Sequence, residues 1–543
     1  MDSLWESLLT ARRGQFHCWT GARFTSVGWD EVVADARRMA TGLRAIGVRP
    51  GVRVATILTN TPLAVRGTLA TWLAGGAVAS LPVPARGMSA EEYVEQIVGI
   101  CRRVGSPVLL TDGALLGAFP DRVHAETGLT AWESVRSGPA LEAEPPGDDE
   151  LAFIQYSSGS TGSPKGCMLT PRAIAAQLAL ILDMSDSDPD REKVVSWLPL
   201  SHDMGMFGCL MYPWAYDMPL VLSTPERFML GGRSWFGDLA DFGGTMTAGT
   251  NTAVYLAARA QRGRRLNRRL ALRTGIIGAE RVERSTLLAA VEAFRDSGLS
   301  LDVFMPAYGM AEATLAVAAT APEAEPRFLA VDGVELADGR IVPVEPGGPA
   351  ATWLTGCGPP CRGVDVVETE PGTVSELVVR SPSLAMGYHG DPERTRSRFT
   401  ADGFRTGDLG FHRDGELYVV GRRDDVISVG GRNVNTREIE LAVDALEPVH
   451  RGCTAIIDVG GGPKGRLVLV AELRKRDADH GVIADAAARI AMAKAGIALD
   501  ECVFLSRGSL PKTPSGKIQR YRARQLLLAE DLPTIATVRL EPT

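Results

Sequence analysis

The sequence predicts an α/β fold: a large N-terminal domain of βα-layered sheets ending in a β-rich subdomain (residues 1–422), then a small α+β C-terminal domain (424–543). Three observations predict it. From about residue 27 to about residue 330, helical stretches alternate with short apolar runs, the pattern of βα units in mainly parallel sheets. After about residue 370 the pattern becomes strand-rich. At Arg423–Asp424 it changes once more, and the remaining stretch, roughly 120 residues long, mixes strands with helices at a size usual for one domain.

Each element follows from its residues. Trp29–Ile46 carries Val32, Ala36, Met39 and Leu43 at helical spacing, so it reads as a helix with one apolar face. "GVRVATIL", "SPVLLTD" and "MPLVLS" read as short buried strands. The apolar stretch Leu69–Pro82 is interrupted by Gly75 and Gly76 and falls short of the ~20 residues that span a bilayer. It reads as a buried helix running into a strand. Leu151–Tyr156 is strand-like, and Thr170 with Pro171 opens a helix on which Ile174, Leu178, Ile181 and Leu182 recur. Residues 318–350 are rich in Ala, Pro, Glu and Gly, with "PRFLAVD" and "GRIVPV" strand-like. "SELVVRS" and "GELYVVG" supply the later strands. Beyond the boundary, "DVISVGG", "TAIIDV" and "RLVLVAEL" are strand-like, and Thr436–Leu446 and Ile483–Lys494 are helical. Arg423 and Asp424 fit either a hinge or an ordinary tight turn. No repeat of 20–50 residues is visible.

Composition narrows the function. The 543 residues are 45% hydrophobic and 23% charged, as in ordinary globular proteins. A formal charge of -7 argues against a nucleic-acid partner. The eight cysteines are scattered; Cys357 and Cys361 lie in a Pro/Gly turn without the second pair that zinc needs. They read as reduced thiols of a cytoplasmic protein. Arg12 and Arg13 are not followed by a long apolar run, so neither a signal peptide nor a membrane span is expected.

The chemistry begins in "QYSSGSTGSPKGCMLT", residues 155–170. Between a strand and a helix, its glycines let backbone N–H groups turn inward. Ser157, Ser158, Ser160 and Thr161 add hydroxyl donors, and Lys165 adds a positive charge. That inventory suits a polyphosphate; a solvated Gly/Ser tether is the alternative. The Walker pattern, GK followed by Ser or Thr, is missing.

Further polar motifs are "SWLPLSHDMG" (196–205), "GAE" (278–280), "AYGMAEAT" (307–314), "FRTGDLG" (404–410), "GRRDDVISVGGRN" (421–433) and "PKTPSGKIQR" (511–520). With the loop, and in this order, the set resembles the adenylate-forming superfamily of acyl-CoA synthetases, adenylation domains and luciferases. It is most similar to the fatty acyl-AMP ligases in "SWLPLSHDMG", "AYGMAEATLAVA", "GGRN" and the segment 318–350. The resemblance implies that ATP and a carboxylic acid give acyl-AMP and pyrophosphate, and that the acyl group passes to the phosphopantetheine of a carrier protein or to coenzyme A.

It also implies roles. Ser157, Ser158, Gly159, Ser160, Thr161, Gly162 and Lys165 would hold the phosphates, and Glu312 would bind Mg²⁺. Lys517 would be the adenylation lysine, reaching the carboxylate and the α-phosphate. Asp408 would accept from both ribose hydroxyls beside Arg422. Gly278, Ala279 and Glu280 would wall the adenine, Tyr308 would stack on it, and Gly309, Met310 and Ala311 would also bind ATP. His202 would position the acyl group and the phosphate rather than move a proton, with Gly249, Thr250 and Asn251 along the acyl pocket. Asp424 would be the hinge of a mobile C-terminal domain. Gly430 and Gly431 would meet the pantetheine, or simply form a β-turn. An insertion like 318–350 would restrict the motion that coenzyme A chemistry requires, which leaves the acceptor open. A full acyl-CoA synthetase and a non-catalytic acyl-nucleotide-binding protein are the alternatives. The specific acid and the oligomeric state are not legible.

Overall fold

The computed structural model describes residues 3–84, 88–157, 164–348, 350–423, 426–429, 432–460, 466–512 and 518–540. Among them, two large sheets form the N-terminal part. One has the order Ala316–Ala319, Phe304–Gly309, Thr274–Ile277, Met246–Gly249, Val194–Ser196, Leu220–Leu222, Gln15–Trp19, Phe24–Gly28. Its inner neighbours are parallel, and antiparallel pairs occur only at its two ends. The other has the order Thr130–Ala131, Leu109–Thr111, Arg53–Thr56, Ala77–Ser80, Phe153–Ser157, Lys165–Leu169, parallel except for its last pair.

The helix Pro62–Leu73 buries residues on every side, because it lies in the shared core between the sheets. Trp29 starts the helix Trp29–Ala45 and is fully buried. Its ring stacks between Phe16 and Trp214, at centroid distances of 5.2 and 4.8 Å, and its indole N–H donates to the Met218 carbonyl at 3.0 Å. Truncating such a side chain to alanine costs about 3–5 kcal/mol.

An antiparallel sheet follows, of Asp365–Glu368, Ser375–Arg380, Phe399–Thr400, Gly403–Arg413 and Glu416–Arg422. Residues beyond 426 build a hairpin, Val426–Val429 with Arg432–Asn435, and a four-stranded sheet of Val449–Asp458, Leu467–Leu473, Glu501–Leu505 and Thr534–Arg539. The helices Arg437–Asp444 and His480–Ala495 pack on that sheet around a core of their own.

Two elements differ from the sequence reading, and a third is one that the sequence reading left unassigned. The loop after Phe153–Ser157 does not lead directly into a helix. A second strand, Lys165–Leu169, intervenes, with Ser157 opposite Lys165, so the loop is the end of a hairpin. "GRIVPV" is not a strand; Pro343 makes one bridge with Val331, since proline has no N–H for a ladder. "SHDMG" leads into a π-helix, Met204–Met211, whose wide turn lies against the preceding loop; a Cβ on Gly205 would come within 2.2 Å of the Pro199 carbonyl oxygen.

Candidate active site

Ligands of open α/β sheets gather where parallel strands end, and here several of the predicted residues lie there. Gly249 ends one strand, Gly278 follows the next, and Tyr308 and Gly309 close the third, with a register shift between them. Gly309 admits no side chain: a Cβ would lie 2.0 Å from the Leu315 carbonyl oxygen, where Met310 N–H donates at 2.7 Å. Ala279 has φ +64°, a left-handed conformation unusual for a residue with a Cβ. The carboxylate of Glu280 is held at the start of the helix Asn251–Gln261. It accepts from the Thr252 backbone N–H and, at 3.1 Å, from the Thr252 hydroxyl. Asn251 Oδ1 accepts from Glu283 N–H at 2.9 Å, and Thr250 caps the helix Asn251–Gln261 by accepting from Ala253 N–H at 3.2 Å. These side chains therefore secure the loops. Gly249 faces the aromatic cluster instead; a Cβ there would sit 2.4 Å from the Trp235 ring.

The antiparallel subdomain brings in a carboxylate. Asp408 and Arg422 are opposite each other on paired strands, with Arg422 Nε 3.0 Å from Asp408 Oδ1. The Tyr308 hydroxyl donates to Asp408 Oδ2 at 2.6 Å. Burial first, then the Asp408 charge, pushes the Tyr308 phenol well above its ordinary value, so it stays a donor. Asp408 N–H donates to Thr406 Oγ1 at 2.9 Å, and that hydroxyl donates to the Leu377 carbonyl at 2.8 Å. Buried Glu376 accepts from Gly407 N–H at 3.1 Å and pairs with Arg405 at 2.5 Å. The "RTGD" turn is thus held from beneath.

Glu312 lies on a single 3₁₀ turn, Ala311–Ala313. Its Oε1 accepts from the Tyr388 hydroxyl at 2.7 Å. The segment around Tyr388 pairs with the outer edge of Lys165–Leu169, through Met168 N–H to Gly387 at 3.0 Å and His389 N–H to Gly166 at 2.8 Å. Lys165 Nζ consequently sits 5.9 Å from the Tyr388 ring centroid. Burial lowers the Lys165 pKa; Glu312 opposes this, and Arg422, Arg394 and Arg398 add to it. The site therefore gathers cations whose mutual repulsion a polyanion would relieve. The Glu312 carboxylate accepts no second hydrogen bond among the described residues, and one carboxylate oxygen suits a hydrated Mg²⁺ that takes its remaining ligands from phosphate and water. Among the described residues, no group of three or more His, Cys, Asp or Glu is arranged to hold a metal by itself.

His202 precedes the π-helix, with Nδ1 2.6 Å from Asp203 Oδ1. Two buried amides hold the loop before it. Asn60 donates to the Leu198 and Ser223 carbonyls at 2.9 and 2.8 Å and accepts from Leu200 N–H at 3.0 Å. Gln155 donates to the Ser201 carbonyl at 2.7 Å. Sequence reasoning missed Asn60, Gln155, Glu376 and Tyr388. Nothing but "YHG" after an apolar run marks Tyr388, and its partner is 76 residues away. Ser158, Gly159, Ser160, Thr161, Gly162, Asp424, Gly430, Gly431 and Lys517 lie outside the described residues, as does the Ser157 side chain.

All eight cysteines are free thiols. Among the described residues no helix is long and apolar enough to cross a membrane.

The chain is similar to known proteins over most of its length. The family model described as AMP-binding enzyme matches residues 11–389. The chain is 31% identical to putative ligase Rv1013 of Mycobacterium tuberculosis, over 92% of this chain and 94% of that one. It is 32% identical to the medium-chain-fatty-acid–[acyl-carrier-protein] ligase JamA of Moorena producens, over 69% and 67%. A structure from a study of fatty acyl-adenylate ligases of E. coli and L. pneumophila superposes with a TM-score of 0.87 at 24% identity, covering 98% of each chain, which establishes the shared fold. The chain belongs to the AMP-binding enzyme family: it is an ATP-dependent acid ligase.

Proposed function

We infer that the protein activates a lipophilic carboxylic acid as acyl-AMP and delivers the acyl group to the phosphopantetheine thiol of a carrier protein. The observation that carries this is the convergence of Tyr308, Asp408 and Arg422 with Lys165, Tyr388 and Glu312 around the strand ends. Ribose hydroxyls would donate to Asp408. The hairpin loop with Ser157, Ser158, Gly159, Ser160, Thr161, Gly162 and Lys165 would hold the β- and γ-phosphates. Gly278, Ala279, Gly309, Met310 and Ala311 would present backbone to the base, with the Tyr308 ring against it. A carboxylate oxygen of the acid attacks the α-phosphorus, and the bond to the bridging oxygen breaks with its electrons leaving on pyrophosphate. An ionised acid needs no general base, so His202 positions. Mg²⁺ held by Glu312 would offset charge on the phosphate oxygens. Lys517, carried by a mobile C-terminal unit of residues 424–543 hinged at Asp424, would neutralise charge growing at the α-phosphate.

The acceptor is inferred from how the 318–350 segment packs. Its helix Gly333–Ala337 lies against the C-terminal helix His480–Ala495, and Ala337 packs on that unit's core. Lys494 Nζ donates to the Ala351 carbonyl, and Glu438 is held by Arg281 and by the Thr352 hydroxyl. Such anchoring opposes the rotation that coenzyme A transfer requires, and JamA is named for a carrier-protein acceptor. The test is pyrophosphate release across a panel of carboxylic acids, followed by thioester analysis with coenzyme A and with a holo carrier protein. Release with lipophilic acids and thioester on the carrier alone is expected. Efficient acyl-coenzyme A formation would overturn the acceptor assignment, and no acid-dependent release would overturn the whole reading.

A further inference from the structure

Away from the strand ends, one face concentrates positive charge in a chain that is net acidic. Residues 259–273 contain seven arginines, and residues 242–279 contain no Asp or Glu. Arg259, Arg262, Arg264, Arg265, Arg268 and Arg269 are exposed, and among the described residues only Arg265 of these six reaches a carboxylate, Asp296 at 3.3 Å. Beside them stand the two most exposed large apolar side chains of the described residues, Leu230 at 92% and Met229 at 70%.

The two features form one surface. Arg233, three residues after Leu230, donates to Gln261 Oε1 and to the Arg265 carbonyl, both at 3.1 Å. The short helix Pro225–Leu230 that ends in the apolar pair is braced by Arg227. That guanidinium donates to Asp238 Oδ1 at 2.8 Å and to Ser223 Oγ at 2.9 Å, and lies 4.4 Å from the Trp19 ring centroid. The pair is therefore held outward on a fixed turn. At one edge the arginines border a cleft of about 170 Å³ that includes Arg259, Arg262 and Arg474 over an apolar floor of Tyr255, Ala258 and Ala289.

We propose that this face docks the protein on an anionic lipid bilayer, with Met229 and Leu230 entering the acyl boundary and the arginines meeting the phosphate headgroups. Stable peripheral binding takes two signals, an apolar insertion and a polybasic patch, and both occur here side by side. An acidic carrier protein fits less well. The arginines begin at the far end of the helix Asn251–Gln261, about 15 Å from the strand ends where a thiol must arrive, and a protruding apolar pair suits a deformable lipid surface. Use of this face to collect a lipophilic acid rests on the acyl-AMP reading; binding to the bilayer does not.

The experiment is cosedimentation of the full chain with vesicles of phosphatidylcholine and phosphatidylglycerol in equal parts, and of phosphatidylcholine alone. Binding to the mixed vesicles only, reversed by high salt, is expected. The variant Arg264→Glu/Arg268→Glu should bind at least ~25-fold more weakly, at about fivefold per arginine lost. Met229→Ser/Leu230→Ser should also weaken binding. Both variants should keep wild-type pyrophosphate release with a short, water-soluble acid, which separates the surface from the catalytic site. Four results would overturn the proposal: wild type left in the supernatant, equal binding to both vesicles, variants that sediment like wild type, or capture of an acidic carrier protein by this face with no vesicle binding.

Discussion

Tyr388 is the residue on which the placement of Glu312 turns. Its hydroxyl donates to Glu312 at 2.7 Å while its ring lies against Lys165. Burial and the Glu312 charge both raise its pKa, so the donor persists at any working pH. Tyr388→Phe keeps the ring and removes one hydrogen bond to a charged group, worth roughly 1.5–3 kcal/mol. A fall of at least about tenfold in kcat/KM for ATP is expected, with a small drop in melting temperature; pyrophosphate exchange and a thermal melt measure them. Lys517→Ala should slow acyl-AMP formation by about 10²–10³ with the fold intact. Unchanged single-turnover adenylation in that variant would remove Lys517 from the mechanism. Of the two, only Lys517 was nameable from its motif. Lys517 sits in "PSGK", whereas Tyr388 owes its position to strand pairing with Lys165–Leu169.

At the scale of elements, the helix Arg437–Asp444 shows how burial writes a pH dependence into the C-terminal unit. Asp444 is 3% exposed and accepts from Cys453 N–H at 3.2 Å. Burial raises its pKa from 3.8 to about 6; Glu440 adds to this, and Thr454 and Arg437 oppose it. Between those values the unfolded chain releases the proton while the folded chain retains it. Stability therefore falls as pH rises through that window, and above it this group's cost is constant at about 3 kcal/mol. Asp444→Asn keeps an acceptor for Cys453 and removes the titration. At pH 8 the variant should exceed wild type in stability of this unit by up to about 3 kcal/mol, with the advantage gone near pH 4; denaturant melts at both pH values measure it. The same unit shows which elements patterning reaches. The apolar run of Leu467–Leu473 announces a strand, with every residue buried. The helix Arg520–Leu528, "RYRARQLLL", does not announce itself, because Ala523 is its one buried residue.

For the whole molecule, the question is what holds the C-terminal unit against the rest. Glu438 and Arg281 form a nearly dry pair, with side chains 7% and 12% exposed, and Thr352 donates to the same carboxylate. Arg451 pairs with Glu283 and lies 4.6 Å from the Tyr255 ring centroid. Removing one member of a buried pair costs about 3–5 kcal/mol, because the other charge is left without compensation. Glu438→Ala should therefore loosen the docking. The expected outcome is faster hydrogen exchange in Gly333–Ala337 and His480–Ala495 and more coenzyme A thioester per acyl-AMP; exchange no faster than wild type in both segments would show that the anchoring lies elsewhere. By itself, the sequence determined the alternation of helices and strands, the change of pattern near residue 423 and the motif set that marks an acid ligase, because local periodicity and turn chemistry act over a few residues. The tertiary structure decided that Lys165 opens a second strand, that Glu280 serves the helix Asn251–Gln261, that Tyr388 reaches Glu312, and that Met229 and Leu230 stand beside the arginine face. The second strand depends on local pairing with Ser157 that the Gly/Ser run does not announce; the other facts depend on sheet order and loop packing, which bring together groups such as Glu280 and Thr252, 28 residues apart, and Tyr388 and Glu312, 76 apart, and contacts at such separations leave no periodic trace in the chain.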